Sequence, residues 1–456
     1  MSIKVRFAPS PTGLLHIGSA RTALINWLFA KKAKGHFMLR MDDTDLERSK
    51  ESFAQAIHED LKWLGLTYDS FYKQSERMSI YHNAVQRLIK TDRLYPCFET
   101  PEELDFKRKR QLAKGQPPLY DRASLYLTQA EKENFINQGR KPHWRFKILP
   151  EKIRWDDLIR GEVEFEGDRL SDPVLVKADE SYLYTLTSVV DDLDLNITHI
   201  LRGEDHVTNT AAQIQLFAAL NDNKITDIQF GHTTLLTDEK GQGLSKRLGS
   251  LSLQSMREEG IHPMAINSLL AKLGTSQPVE LCLEHKTLIK GFELKNFSRT
   301  PPKFNLQELK HLNQKMFQTM SYSEVKPYLD NFKAKKINET IWEIIKSNLE
   351  KLHDSEKWQE ILFENELNPH IEEQDIHYIK QALDLLPDPQ NKPWNEETWT
   401  EWTKNLKAAS GRKGKDLFMP LRQALTGENH GPEMKDLLLV LGYDLVKHRL
   451  AKGLLK

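Results

Sequence analysis

Ile3-Lys4-Val5-Arg6-Phe7-Ala8-Pro9-Ser10-Pro11-Thr12-Gly13, followed by His16-Ile17-Gly18-Ser19, is the stretch that sets the fold of this chain. Ile3 to Phe7 alternates in polarity as a short strand does, and two prolines and a glycine then interrupt regular structure. From Ile17 to Ala33 the apolar residues Ala20, Ala23, Leu24, Trp27, Leu28 and Ala30 recur at three- and four-residue intervals. That spacing predicts a helix with one buried face, ended by Gly35. Phe37-Met38-Leu39-Arg40-Met41 reads as a second strand, completing the strand, helix and strand of a right-handed parallel crossover. An α/β nucleotide-binding core follows.

Outward from this unit the pattern changes. Between about Tyr81 and Tyr184 a basic helix around Lys107 to Lys114, the turn Gln116-Pro117-Pro118 and the strand-like run Trp144 to Ile148 read as an inserted domain. The α/β character returns at Val189-Val190-Asp191-Asp192 and Ile197 to Leu201, with a helix after Asp205 carrying Ile214, Leu216, Phe217 and Leu220, so the core is split in sequence. Beyond Phe304 glycine nearly vanishes until Gly411 and helical periodicity dominates, as in Ile341, Ile344, Ile345, Leu349 and Leu352, which predicts helical bundles.

Composition narrows the function. A chain of 456 residues suits roughly three domains. Lys plus Arg and Asp plus Glu both total 65, so a polyanionic partner must be met by local basic surfaces, and a polybasic tail protein is excluded. Cys97 and Cys282 cannot build a disulfide framework, and no four-ligand set stands at zinc-site spacing, so the reducing cytosol is the expected compartment. The apolar run Thr22 to Ala30 falls well short of the roughly 20 residues a bilayer requires, so no membrane association is expected.

Four constellations could carry chemistry. His16-Ile17-Gly18-Ser19 lies where a loop becomes a helix, and the free N–H groups and positive dipole end there suit a triphosphate, with Gly18 allowing close approach and His16 donating to phosphate oxygens. A histidine merely satisfied within the loop would look the same. Lys240 to Gly249 holds three glycines and three cations in ten residues, a loop able to close on a ligand with Lys246 and Arg247 against developing phosphate charge, or else a solvated turn. Asp42-Asp43-Thr44-Asp45 ends the second strand, where α/β sheets bind ligands; there a carboxylate can face a cation, an amino group or an RNA hydroxyl, while Thr44 or Asp45 can instead cap a helix. Arg6 and Arg202, each on or just after a core strand, could converge as a clamp for a substrate carboxylate with Tyr184 closing the pocket, or could form ordinary salt bridges such as Arg202 with Glu204 or Asp205.

Taken in this order, these residues resemble the class I aminoacyl-tRNA synthetases, and within them the bacterial glutamyl-tRNA synthetase family. Arg6 to Gly13 with His16 to Ser19 is similar to that family's opening signature, and Gly243-Leu244-Ser245-Lys246-Arg247 to its mobile lysine loop. Asp43-Thr44-Asp45, Val189 to Asp192 and Leu201-Arg202-Gly203-Glu204-Asp205-His206 also match, as do Phe304-Asn305-Leu306 through Leu312-Asn313 and Pro420 to Gly427 in the helical third. The resemblance implies a Rossmann-type class I synthetase catalytic core with an inserted α+β domain, followed by all-α helical-bundle domains. Its parts are expected at 1–80 (core, first half), 81–184 (inserted acceptor-end domain), 185–216 (core, second half), 217–308 (stem-contact region with the lysine loop), and 309–368 and 369–456 (two anticodon-binding domains).

By the same resemblance, ATP and glutamate form glutamyl-adenylate, and the glutamyl group then passes to the terminal adenosine of tRNA(Glu), with tRNA(Gln) a second candidate. Arg6, Tyr184 and Arg202 would hold the substrate side-chain carboxylate, Ala8 and Ser10 would contact the amino acid and Asp42 its α-amino group. Pro9, His16, Gly18, Ser19, Leu244 and Lys246 would bind ATP, with His16, Gly18 and Lys246 serving the in-line transition state while Mg2+ screens the pyrophosphate. Asp43, Asp45 and Asp205 are implied tRNA contacts. Residues Glu401 to Lys456 carry eleven Lys or Arg against six Asp or Glu, and Arg412, Lys413 and Lys415 in a glycine-flanked loop are candidate phosphate contacts. Trp394, Trp399 and Trp402 are expected in the core rather than as base-stacking platforms.

Three departures stand out. Asp42 occupies a place where the family usually has Glu; Cys97 stands alone where some relatives build a zinc site, so no zinc and no metal-ligating side chains are expected; and Lys346-Ser347-Asn348 lies where some relatives screen an anticodon base with arginine. The expectation is a cytoplasmic, monomeric glutamate–tRNA ligase of protein biosynthesis with no DNA partner. The alternatives are a non-catalytic tRNA-binding protein with a synthetase-like core, and a glutamyl transferase acting on a modified tRNA base.

Overall fold

A computed structural model describes residues 2–222, 227–244, 252–364, 367, 371–391 and 393–454. They form two compact units, one of residues 1–255 with 267–305 and one of residues 256–266 with 306–456.

In the first unit β1 (Lys4–Phe7), β2 (His36–Met41) and β3 (Ser70–Lys73) run parallel in the order β1-β2-β3, with Arg6 opposite Met38 and Arg40 opposite Tyr72. An antiparallel sheet joins β4 (Leu94–Cys97), β5 (His143–Phe146) and β8 (Val174–Val176). A third has the order β7-β6-β10-β9, from β6 (Lys152–Asp157), β7 (Gly161–Glu166), β9 (His199–Gly203) and β10 (Gln229–Thr233), with β10 parallel to both neighbours. Lys4 N donates to Thr198 Oγ1 at 2.8 Å and Thr198 N to Lys4 O at 2.9 Å, which sets β1 beside β9. The chain therefore leaves β1 toward β2 on one side while β9 flanks it on the other. Open α/β sheets bind ligands at such a reversal, beyond the carboxyl ends of the strands.

The first seven helices of this unit are α1 (Ile17–Lys32), α2 (Glu51–Trp63), α3 (Met78–Lys90), α4 (Pro101–Ala113), α5 (Gln129–Asn137), α6 (Tyr184–Asp194) and α7 (Val207–Leu220). The six apolar residues that predict the buried face of α1, Ala20, Ala23, Leu24, Trp27, Leu28 and Ala30, are all buried. The helix lies between β1 and β2 on one side and the helix His285–Gly291 on the other, so Ile17, Ala20, Leu24, Ile25, Trp27 and Leu28 are all buried. Its end differs in mechanism from the expected one. Lys34 takes the left-handed turn, φ 50°, while Gly35 is required because a Cβ there would meet Ile3 O at 2.4 Å. Tyr81, Phe146, Leu186, Ile200, Leu216 and Phe230 belong to one buried cluster, so α3, α6 and α7 share a core with strands of two sheets.

The boundaries expected inside this unit shift accordingly. β6 and β7 fall within 81–184, yet Asp157 pairs in register with Phe230 of the catalytic sheet. Residues 229–233, placed in the stem-contact region, pair with β9 along its whole length. Both segments join the core through strand pairing and packing with residues distant in sequence, Phe230 lying in the same buried cluster as Leu186 and Leu216.

The second unit is helical. Its helices are Leu306–Thr319, Tyr322–Leu329, Glu339–Ile345, Asp354–Phe363, Glu373–Asp384, Glu396–Ser410, Lys415–Thr426 and Met434–Gly453. The expected division at 368 is not a division between compact bodies, because Met434–Gly453 packs against helices on both sides of it. Trp342 and Trp402 are fully buried and donate to Met320 O and Ala382 O, each at 2.9 Å. Trp394 and Trp399 are half-buried, with Trp394 bonded to Leu438 O at 3.1 Å.

Candidate active site

Arg6 near the end of β1 and Arg202 near the end of β9 flank the sheet reversal, and both are almost entirely buried. Their surroundings differ. Arg6 holds Asp192 of α6 through a fork of 3.0 and 3.2 Å. Asp192 also accepts from Arg40 Nη1 at 2.8 Å, and Arg40 grips Asp42 at 2.7 and 3.1 Å. Arg6 and Arg40 outweigh the burial that opposes ionisation of Asp192, and its carboxyl stays below the usual range. Burial pushes Asp42 up to about 6 although Arg40 pulls the other way. Asp191 anchors the back of the cluster, accepting from Arg77 Nε at 2.7 Å, Gln74 Nε2 at 2.8 Å and the Tyr81 hydroxyl at 2.9 Å.

Arg202 meets no carboxylate within ion-pair distance among the described residues. Its Nη1 donates to the Tyr184 hydroxyl at 3.0 Å, its Nη2 to Thr210 Oγ1 and Gln213 Oε1 at 2.6 Å each, and its Nε points at His232 Nε2 at 3.4 Å. Gln213 in turn donates to Ser188 Oγ at 2.8 Å, which orients its carbonyl oxygen toward the arginine. Four neutral groups thus aim one buried cation without neutralising it, and burial lowers its pKa. Of the two arginines, Arg6 is bound to Asp192, and Arg202 offers a guanidinium with no carboxylate partner among the described residues. The alternative pairing of Arg202 with Glu204 or Asp205 does not occur; Glu204 pairs with Arg160 at 2.7 Å. Burial and the nearby Arg202 charge hold His206, which packs against Tyr184, down at about 4.

His16 is the N-cap of α1. Its Nδ1 accepts from Gly18 N at 3.1 Å and Ser19 N at 3.3 Å, and its Nε2 lies 3.1 Å from Ser19 Oγ. A ring whose Nδ1 accepts carries its proton on Nε2. A Cβ at Gly18 would sit 2.9 Å from His16 Cε1, so the space this glycine keeps open is taken by the imidazole itself. Ser252 forms an antiparallel bridge with His16, and Leu253 N donates to Leu15 O at 2.9 Å. Residues 245–251, with Lys246 and Arg247, lie outside the described residues; the chain that follows them runs beside His16. Leu244, just before them, is buried.

The chain matches the family described as tRNA synthetases class I (E and Q), catalytic domain, over residues 2–311, and an anticodon binding domain over residues 321–454. It belongs to the class I tRNA synthetases for E and Q. It is 49% identical over 449 residues to glutamate–tRNA ligase 1 of Maricaulis maris (98% of this chain, 99% of the relative) and 48% identical over 453 residues to the glutamate–tRNA ligase of Azospirillum brasilense (99% of each). Among solved structures, a glutamate tRNA ligase of Elizabethkingia meningosepticum in complex with its amino acid superposes with TM-score 0.82 at 28% identity, covering 100% of this chain and 99% of that one. The glutamate–tRNA synthetase of Elizabethkingia anophelis gives 0.83 at 28%, covering 100% of both.

Other expected positions of this synthetase fall as follows. Pro9 is buried with its carbonyl on Asp42 N at 3.0 Å, Ala8 is half-buried, and Ser10 is exposed. Asp43 accepts from Ser75 N at 2.8 Å and Ser75 Oγ at 2.7 Å, and Asp45 from Arg48 Nε at 2.7 Å, so both are engaged within the chain, while Asp205 is exposed. Arg412 ion-pairs with Asp375 and lies 4.5 Å over the Tyr378 ring. Lys413 and Lys415 are exposed.

The inserted region holds a donor set that the sequence did not disclose. Cys97, Glu99 and His143 place one ligand atom each within 4.8 Å of one another. Burial pushes the Cys97 thiol up to about 11, and Glu99 already accepts from Tyr120 and Ser124 at 2.8 Å each. Beside it opens a cavity of about 620 Å³ with Phe98, Leu104, Arg140, Lys177 and Leu183 among its walls.

Sequence reasoning also missed Arg40, Thr210, Gln213, Asp157 and His232. Thr210 and Gln213 stand three apart on α7, but no local spacing joins the others; Asp157 and His232 stand 75 residues apart.

Proposed function

We propose that this chain is a glutamate–tRNA ligase that forms glutamyl-adenylate from ATP and glutamate and passes the glutamyl group to the 3′-terminal adenosine of tRNA. The observation that carries this reading is Arg202, a buried guanidinium surrounded by neutral acceptors at the sheet reversal. A carboxylate side chain restores the counter-charge that burial denies it, whereas a carboxamide does not, so glutamate is selected over glutamine. Tyr184 and Arg6 complete that pocket. Asp42 faces the α-amino group, sharing its oxygens with Arg40, and Ala8 and Ser10 border the amino acid.

Pro9, His16, Gly18 and Ser19 line the nucleotide side, where the Nε2–H of His16 faces Ser19 Oγ at 3.1 Å and the Ser19 hydroxyl proton is left for a phosphate oxygen. Leu244 and Lys246 close it, with Mg2+ screening the pyrophosphate during in-line attack. The tRNA is tRNA(Glu), with tRNA(Gln) the second substrate to be tried. Asp43, Asp45 and Asp205 border its acceptor end, Lys413 and Lys415 its anticodon arm. The protein acts as a cytoplasmic monomer; no described helix is long and apolar enough to cross a membrane.

ATP/pyrophosphate exchange with glutamate, run with and without tRNA, tests the activity, and charging of each purified transcript fixes the tRNA. Exchange that requires tRNA is expected. Absence of exchange under both conditions would leave a binding protein and overturn the proposal. Arg202→Ala is expected to raise the glutamate KM more than tenfold while the ATP KM holds, because the substrate carboxylate then lies buried without its partner.

A further inference from the structure

We infer that Asp157 and His232 are a positioning pair for Arg202: Asp157 fixes the ring proton of His232 on Nδ1, so that Nε2 turns a lone pair onto the guanidinium that receives the substrate carboxylate. The inference rests on the assignment of Arg202 to that carboxylate.

Asp157 ends β6, and His232 lies on β10 with no solvent exposure. Asp157 Oδ1 accepts three backbone N–H groups, from Ile159 at 3.1 Å, Arg160 at 3.0 Å and His232 at 3.1 Å. Its Oδ2 lies 2.5 Å from His232 Nδ1. Burial opposes ionisation of this carboxyl, but the donors outweigh it and pull it down to about 2. A carboxylate has no proton to give, so the short contact requires the proton on Nδ1. The other nitrogen is then an acceptor, 2.8 Å from Thr210 Oγ1 and 3.4 Å from Arg202 Nε. Thr210 accepts from Arg202 Nη2, so the imidazole touches both the arginine and a group that holds it. With the opposite tautomer, an N–H would face a guanidinium N–H and the arginine would be turned away from its present direction.

Asp157→Asn discriminates sharply because of the three backbone donors. They outnumber the one opposing donor, Trp155 Nε1 at 3.4 Å from Oδ2, and hold the amide oxygen at the Oδ1 position, so the NH2 takes the Oδ2 position and faces His232 Nδ1. The ring then has to accept there and carry its proton on Nε2, against Arg202. The expected result is a glutamate KM raised roughly tenfold, the scale of one charge-assisted hydrogen bond, with the ATP KM unchanged. Nitrogen-15 NMR of the histidine rings should report the Nδ1–H form for His232 in the parent protein and the Nε2–H form in the variant. His232→Gln places an oxygen near the Nε2 position and is expected to keep glutamate KM within about threefold of the parent, whereas His232→Leu raises it as Asp157→Asn does.

An Nε2–H tautomer in the parent protein overturns the inference, as does a folded Asp157→Asn variant with unchanged glutamate KM. If Asp157→Asn fails to fold, the two His232 variants decide: equal glutamate KM values for Gln and Leu overturn it. An Arg202→Ala variant with normal glutamate KM would instead refute the substrate assignment itself, whichever tautomer is found.

Discussion

Arg40 does more for this site than its absence from any motif indicates. Its side chain is fully buried, and it neutralises Asp42, Asp192 and, at 3.5 Å, Asp191. The acidic groups flanking it hold its pKa well above the ordinary arginine value despite burial. Removing one partner from such a cluster strands the others without counter-charge, which is costlier than never having had the pair. Arg40→Met is therefore expected to destabilise the protein by about 3–5 kcal/mol, measured by urea unfolding. A loss below about 1 kcal/mol would mean that the cluster is dispensable to folding. Arg202 makes the contrast, because its partners are neutral and its removal strands no charge; its cost should appear in glutamate KM rather than in stability.

Among the elements, α1 couples folding to chemistry. A histidine cap is an unusual choice where Ser, Thr, Asp and Asn lead, and it places an imidazole N–H donor at the helix start while Nδ1 satisfies two backbone groups. Gly18→Ala pushes a methyl group into His16 Cε1 and must lift the ring off its cap. The expected outcome is a loss of about 1 kcal/mol on thermal unfolding with a turnover number lowered at least tenfold. Normal turnover in that variant would separate the imidazole from catalysis. The motif His16-Ile17-Gly18-Ser19 was legible in the sequence, as was the helix after it, because caps and periodicity are local. What Gly18 makes room for was not legible, since only the folded turn shows the ring lying over it.

For the whole molecule, net charge zero means that affinity for a polyanion comes from patches rather than from a global field. Exposed Lys413 and Lys415 follow the helix Glu396–Ser410, whereas Arg412 is tied to Asp375. The double variant Lys413→Ala, Lys415→Ala is expected to weaken tRNA binding and to reduce the slope of log affinity against log salt by about 1–2. An unchanged slope, measured by filter binding over a salt series, would exclude this loop as a phosphate contact. The inserted region shows the opposite limit of sequence reading. Cys97 stands alone along the chain, yet Glu99 and His143 gather around it through the pairing of β4 with β5.

The sequence by itself determined the α/β core, the helical last third, the helix that starts at His16-Ile17-Gly18-Ser19 and the placing of Arg6 and Arg202 on core strands, all of which rest on periodicity, punctuation and short motifs. Tertiary structure decided which arginine is free. Arg6 and Arg202 look alike as residues, and only the packing of α6, α7 and β10 gives one a carboxylate and the other four neutral acceptors. It also decided the partnership of Asp157 with His232 and the inclusion of β6, β7 and β10 in the catalytic sheet. Hydrogen bonds between strands far apart in the chain leave no periodic trace, because their geometry is fixed by the fold and not by spacing.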